Sequence, residues 1–152
     1  MYQIKYEALN RSIRRLEEFY SGKIDNIDSF NGPKDYVFSY FDCTYSLKES
    51  LRKVAVIDIE KFILENNIIA LGIDISNKNK HCKLDRPRTK HIIGKVNTHI
   101  YIFDHVKDRT ELTIEIDGIK TDTLALVKEN FACWKSYLII NSLIKENSMY
   151  VA

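Results

Sequence analysis

The spacing of apolar residues changes at Pro87, and this change most limits what the chain can fold into. Before Pro87, apolar residues recur every three or four positions, which is the spacing of one face of an α-helix. After it come two β-rich runs, His99–Phe103 and Leu112–Ile116, and then Asp117-Gly118, a strong signal for a tight hairpin turn. We therefore expect helices first and a small antiparallel sheet second.

Four helices are predicted before Pro87. The second runs from about Lys34 to Lys53, the third begins at the N-cap Asp58, and the fourth runs from Ile68 to about Leu84. The first helix carries one apolar seam, formed by Tyr2, Tyr6, Leu9, Ile13, Leu16 and Tyr20.

A short third strand, Ile119–Thr121, and a last helix capped by Asp122 are predicted after the hairpin. The predicted fold class is mainly α (α+β), a bundle of four to five helices with a small antiparallel hairpin or three-stranded sheet before the C-terminal helix. With 152 residues, 45% of them apolar and 29% charged, the chain is expected to form one folded domain over residues 1–152.

Composition also indicates the compartment and the absence of some kinds of site. The three cysteines, Cys43, Cys82 and Cys133, are odd in number and widely spaced, which is typical of reduced thiols in a cytosol. No leader and no apolar run long enough to cross a bilayer is recognised, so we expect a cytoplasmic protein without a membrane segment. Paired cysteine spacing is missing, and neither a metal nor a cofactor is expected.

One stretch of polar residues has the pattern of a functional site. On a helix, Asp74, Asn77, Lys78 and His81 stand at i, i+3, i+4 and i+7, so they form one polar stripe. A carboxylate, an amide and an imidazole on one face suit a site for a phosphate-bearing ligand. Asp42 would join this site if the second helix packs against the fourth.

A basic run begins in the same stripe. Seven basic residues and a single acid lie between Lys78 and Lys95. Two interpretations stay open, a solvated helix end and a surface for an anionic partner such as RNA or a nucleotide. The predicted ligand-binding residues are Lys78, Lys80, Lys83, Arg86 and Arg88.

The text Asp-Ile-Ser-Asn-x-x-Lys-His-x-x-Leu, from Asp74 to Leu84, resembles a motif of small bacterial and phage proteins that look like a divergent branch of the HEPN-like helical domains. The resemblance implies a helical domain that pairs as a homodimer. It also implies a setting in toxin–antitoxin, antiviral or phage counter-defence systems. HEPN domains with ribonuclease activity place an Arg and a His four to six residues apart on a helix.

This chain departs from that pattern, because Asn77 stands where an Arg would precede His81. Arg86 and His91 satisfy the spacing literally, but Pro87 falls between them and prevents a continuous helix.

A metal-independent endoribonuclease remains a hypothesis. In it His81 is base or acid, Asp74 orients its imidazole, Asn77 holds a phosphate or a base edge, and Lys80 neutralises charge. The structural alternative is that Asp74, Asn77 and His81 form a buried hydrogen-bond network that ties helix to helix.

A protein-interaction module, such as an antitoxin, an inhibitor or an adaptor, is the alternative function. The C-terminal helix carries excess apolar residues, Ile139, Ile140, Leu143 and Ile144. These would pack on the first helix, on a second copy of the chain or on another protein.

Overall fold

The computed structural model describes residues 1–21, 32–81, 88–101 and 109–146. Its helices and strands follow the chain in this order: α1 (Tyr2–Tyr20), α2 (Gly32–Leu51), α3 (Ile59–Glu65), α4 (Asn67–His81), β1 (Ile93–Tyr101), β2 (Arg109–Ile116), β3 (Ile119–Asp122) and α5 (Thr123–Ile140). The predicted fold class is confirmed, a mainly helical fold with a three-stranded antiparallel sheet before the C-terminal helix. Among the described helices, none has the length and apolar character that crossing a membrane requires.

α1 and α2 form an antiparallel pair. The ring of Phe19, near the end of α1, lies 5.6 Å from the ring of Tyr36, near the start of α2. Halfway along, the Ser12 hydroxyl lies 3.5 Å from the Cys43 sulfur. The α1 seam read from the sequence faces this interface, because Leu9 and Ile13 are buried.

The N-caps predicted for two helices are confirmed. Asp58 accepts a hydrogen bond from the backbone N–H of Lys61 at 3.1 Å. Asp122 accepts one from the backbone N–H of Ala125 at 2.9 Å. Each carboxylate therefore satisfies one of the backbone donors that a helix start leaves unpaired.

The sheet has the strand order β1-β2-β3, and both pairs are antiparallel. Its tight turn is the predicted one, with φ of 55° at Asp117 and 77° at Gly118, the two positive values that a type I′ turn needs. Leu112 and Ile114 of β2 are buried against the helices.

The first strand was predicted to begin at His99, and this was wrong. β1 begins six residues earlier, at Ile93, and pairs Ile93 with Ile116 and Val96 with Ile114. Ile93 and Val96 are buried, but the register shifts between them, so the apolar residues do not alternate in the regular period of a strand.

The helix predicted to end near Leu84 is described as far as His81; its last three residues lie outside the described ranges.

α5 ends at Ile140, before the apolar excess is complete. The backbone N–H of Ser142 donates to Ile139 O at 2.9 Å and that of Leu143 donates to Leu138 O at 2.8 Å, which is a Schellman motif. Ser142 takes φ of 56° to make it. The turn leaves Ile140 with 79% of its surface exposed, while Leu143 and Ile144 pack partly buried against the core.

Candidate functional site

The predicted polar stripe lies on α4, which packs against α2 along its apolar face. Ile69, Ile73 and Ser76 are buried there, and Gly72 lets α2 and α5 approach closely. An added Cβ at Gly72 would lie 2.7 Å from Asn130 Nδ2 and 3.2 Å from the Phe41 ring. Close packing therefore fixes the helix that carries the candidate site.

Asp74 is a buried carboxylate, 0% exposed, whose two oxygens both accept hydrogen bonds. Oδ1 accepts from the backbone N–H of Arg88, and Oδ2 accepts from the backbone N–H and the hydroxyl of Thr89, all at 2.8 Å. Charged acceptors make strong hydrogen bonds, which offset the cost of burying the charge. Asp74 thus anchors the chain that follows Pro87 to the side of α4.

The role suggested for Asp74, to orient the His81 imidazole, stays a prediction. The backbone of His81 closes α4, but its side chain lies outside the described residues. Asp74 is buried and hydrogen-bonded, as the structural alternative requires, but it does not tie helix to helix. Its partners belong to the segment after Pro87 and not to a neighbouring helix.

Asp42 lies against α4, which is the condition for it to join the candidate site. Its Oδ1 accepts a hydrogen bond from the hydroxyl of Ser76 at 2.6 Å. Ser76 directly precedes Asn77, so Asp42 faces α4 at the start of the turn that carries the rest of the stripe.

The remaining predicted ligand-binding residues are placed only in part. Asn77 and Lys78 are half-buried on the last turns of α4. The side chain of Lys80 lies outside the described residues, as do Lys83 and Arg86.

Arg88 is held in an ion pair. Its Nη1 donates to Glu60 Oε2 at 2.7 Å, and its Nη2 lies 3.4 Å from Glu60 Oε1. Glu60 also accepts from Arg52, which directly follows α2. Hydrogen bonds from Arg88 and then from Arg52 lower the pKa of Glu60 to about 2, although burial opposes this shift.

The ion pairs continue along α2 to a buried cation. Glu49 pairs with Arg52 at 3.2 Å and with the ammonium of Lys48 at 2.9 Å. Lys48 is only 2% exposed and lies over the Tyr45 ring, 4.1 Å from its centroid. Burial lowers the pKa of Lys48, because a desolvated ammonium is destabilised.

His91 was considered for its spacing from Arg86, and it has partners of its own. Nδ1 lies 2.6 Å from Asp117 Oδ2 in the hairpin turn, and Nε2 lies 3.3 Å from Asn67 Nδ2 at the start of α4. Asp117 also accepts from the backbone N–H of Ile92, which together with His91 lowers the pKa of Asp117. His91 therefore ties the hairpin to α4. Arg86 lies outside the described residues.

Two buried polar clusters were missed in the sequence. Tyr40 is fully buried and donates its hydroxyl hydrogen to Asn130 Oδ1 at 2.9 Å, while Asn130 Nδ2 donates to Ile68 O at 2.9 Å. Tyr40 and Asn130 lie at helical positions that apolar residues also occupy, so only an amide on the apolar face of α5 indicated a network. These bonds join α2, α4 and α5.

The second cluster centres on the hydroxyl of Tyr20. It donates to Asp122 Oδ1 at 2.6 Å or to Leu112 O at 2.8 Å, and it accepts from the backbone N–H of Leu112 at 3.2 Å. Burial and the neighbouring Asp122 raise the pKa of Tyr20 to about 12. This hydroxyl ties the end of α1 to the sheet and to the start of α5.

An apolar groove of about 510 Å³ runs between α3 and α5. Its lining includes Phe62, Asn66, Ala132, Cys133, Tyr137 and the exposed Ile140. The Cys133 thiol lies 3.6 Å from Asn66 Oδ1, and burial raises its pKa, so the thiol form is favoured.

Among the described residues, no group of three or more His, Cys, Asp or Glu side chains is arranged to hold a metal ion. Comparisons with protein-family models, curated proteins and solved structures found no match.

Proposed function

We propose that this chain is a HEPN-like protein that binds RNA or a nucleotide through the end of α4 and the basic segment that follows it. One observation carries the proposal, the anchoring of Arg88 and Thr89 to Asp74. Lys78 stands one helical turn after Asp74, so the anchor brings Arg88 back beside the helix that begins the basic run. Lys78 from the start of the run and Arg88 from its middle then serve one phosphate-binding surface.

The same anchor reduces the entropic cost of binding. Arg88 and Thr89, which are held by three hydrogen bonds to a buried carboxylate, are ordered before a ligand arrives. In the absence of a ligand, Arg88 pairs with Glu60. A bound phosphate would replace Glu60 as the partner of Arg88. Glu60 therefore tunes affinity, since Arg88 must leave one anion to bind another.

Fluorescence anisotropy with a labelled single-stranded RNA tests this proposal. Lys78→Gln should weaken binding and reduce the salt dependence of log K by about 0.7, the contribution of one phosphate contact on a single strand. Lys128→Gln makes the same charge change on α5, where Lys128 pairs with Glu17, and should leave binding unchanged. Equal losses in the two variants would indicate non-specific attraction to positive charge and would contradict the proposal.

Catalysis by His81 is the stronger form of this proposal. RNA cleavage on a denaturing gel, with and without EDTA, compares the wild type with His81→Ala. EDTA-resistant cleavage by the wild type alone would assign His81 a catalytic role. Binding of RNA without cleavage would indicate a protein that binds RNA and does not cut it.

The groove between α3 and α5 favours a second candidate, a protein-interaction module such as an antitoxin, an inhibitor or an adaptor. Ile140 projects from its rim with 79% of its surface exposed. A second copy of the chain is one such partner, so we also propose a homodimer. Sedimentation should show a dimer that Ile140→Glu dissociates, whereas a wild-type monomer at micromolar concentration would refute it.

A further inference from the structure

A second cavity, of about 450 Å³, lies between the start of α1 and the end of α2. Its lining includes Lys5 from α1 and, from the end of α2, Tyr45, Ser46, Glu49, Ser50 and Lys53. The antiparallel pairing of α1 and α2 brings these two ends together. The volume falls within the range of roughly 300–1,000 Å³ that is usual for small-ligand pockets.

The cavity carries positive charge that the described residues do not neutralise. Its only described carboxylate, Glu49, already pairs with Lys48 and Arg52, which lie next to the cavity. Neither Lys5 nor Lys53 has a carboxylate within ion-pair distance in the described part of the chain. Both ammonium groups therefore remain available to a soluble anion.

Neutral donors lie beside these cations. Ser46 and Ser50 are four residues apart on α2 and project from one face of the helix, and Lys53 lies in the turn that follows α2. Neither serine hydroxyl has a hydrogen-bond partner among the described residues. Hydroxyl and ammonium donors converging on a concave surface are the groups that bind phosphate oxygens.

The buried ammonium of Lys48 adds to the positive electrostatic potential of the cavity. It lies against the ring of Tyr45, which lines the cavity, and is almost completely removed from water. A charge in a poorly solvated position acts on its neighbours through a lower effective dielectric than a surface charge does. A bound anion would offset the desolvation that lowers the pKa of Lys48.

We propose that this cavity binds a small molecule bearing a phosphate or polyphosphate group, with Lys5, Lys53, Ser46 and Ser50 contacting the phosphate oxygens. The site uses none of the residues proposed to bind RNA on α4, although ion pairs through Glu60 and Arg52 connect Arg88 to Glu49 in the cavity wall. Its ligand is small because the cavity holds only about 450 Å³.

Titration with inorganic triphosphate, followed by amide chemical shifts and by calorimetry, tests the site. Shifts should concentrate at residues 46–53 and near Lys5. Lys53→Gln should weaken binding roughly tenfold, as expected for the loss of one charge-assisted contact, and Ser50→Ala should weaken it less. Lys128→Gln, the same charge change on α5, should bind like the wild type. Circular dichroism of each variant checks that the fold is retained.

Three results would overturn the site: no saturable binding, wild-type affinity in both Lys53→Gln and Ser50→Ala, or a loss caused by Lys78→Gln instead. The last would move the triphosphate to α4, which would support the RNA surface while refuting this cavity. Binding here by a protein that fails to bind RNA would support the cavity and refute the α4 surface.

Discussion

Replacing Asp74 with alanine should destabilise the fold more than any other single change in the polar stripe. The substitution removes the acceptor of three hydrogen bonds at 2.8 Å. The hydrogen bond from the Arg88 backbone N–H is only partly buried, so this N–H can regain water when the segment loosens. Thr89 is only 8% exposed, and its two donors would stay buried without partners.

Each of the two buried Thr89 donors costs about 1–3 kcal/mol without a partner, so Asp74→Ala should lower the free energy of unfolding by about 2–6 kcal/mol. Such a loss is a large part of the roughly 5–15 kcal/mol that holds a domain together. For a chain of this size, Tm should fall by about 10 °C. Urea unfolding followed by circular dichroism measures the change.

A matched variant, Asp74→Asn, keeps the shape of the side chain and removes its charge. In Asp74→Asn, the amide oxygen can occupy the position of Oδ2 and keep both bonds from Thr89, leaving only the Arg88 N–H without its acceptor. We expect a loss of about 1–2 kcal/mol. A loss below about 0.5 kcal/mol in Asp74→Ala would refute the reasoning, because that is the range of an ordinary surface substitution.

Other positions give further tests. Gly72→Ala should cost about 1–3 kcal/mol in urea unfolding, because its Cβ would lie 2.7 Å from Asn130 Nδ2; wild-type stability would show that the helices can separate. Ser142→Gly should stabilise by about 0.5–1 kcal/mol, since glycine adopts the positive φ without strain, and a lower Tm would contradict this. The pKa of Glu60 is depressed to about 2, so its contribution to stability is present above the unfolded pKa near 4.5 and is lost as pH falls towards 2. Glu60→Gln should reduce the dependence of the free energy of unfolding on pH in that window. An unchanged dependence would mean that the pair with Arg88 contributes nothing to stability.

Most of the fold could be predicted because it follows from local patterns. The α1 seam, the caps Asp58 and Asp122 and the turn at Asp117-Gly118 each depend on residues close together in the sequence. Local propensity and tertiary packing favour the same structure at these positions, so the local sequence was sufficient to predict it.

The start of β1 could not be predicted, because its inward residues, Ile93 and Val96, are separated by an irregularity that breaks the period of two. Their burial depends on pairing with Ile116 and Ile114, about twenty residues later in the chain. Such pairing is a tertiary effect that a single run of sequence does not reveal.

The candidate site could be predicted only in outline. The stripe on α4 followed from helical spacing, whereas the packing of Asp42 against α4 could only be named as a condition for Asp42 to join the site. The partners of Asp74 did not, because Thr89 lies fifteen residues away and its hydrogen bonds form only once the chain turns back after Pro87. The pairing of Arg88 with Glu60 likewise joins residues 28 positions apart.

The salt dependence of RNA affinity in Arg88→Gln and Glu60→Gln tests the central claim most directly. Both variants break the same ion pair, but only the first removes a cation. Arg88→Gln should weaken binding and reduce the slope of log K against log salt by about 0.7, whereas Glu60→Gln should bind RNA at least as tightly as the wild type. Equal affinity in the two variants would contradict the claim that the anchored basic segment binds an anionic partner.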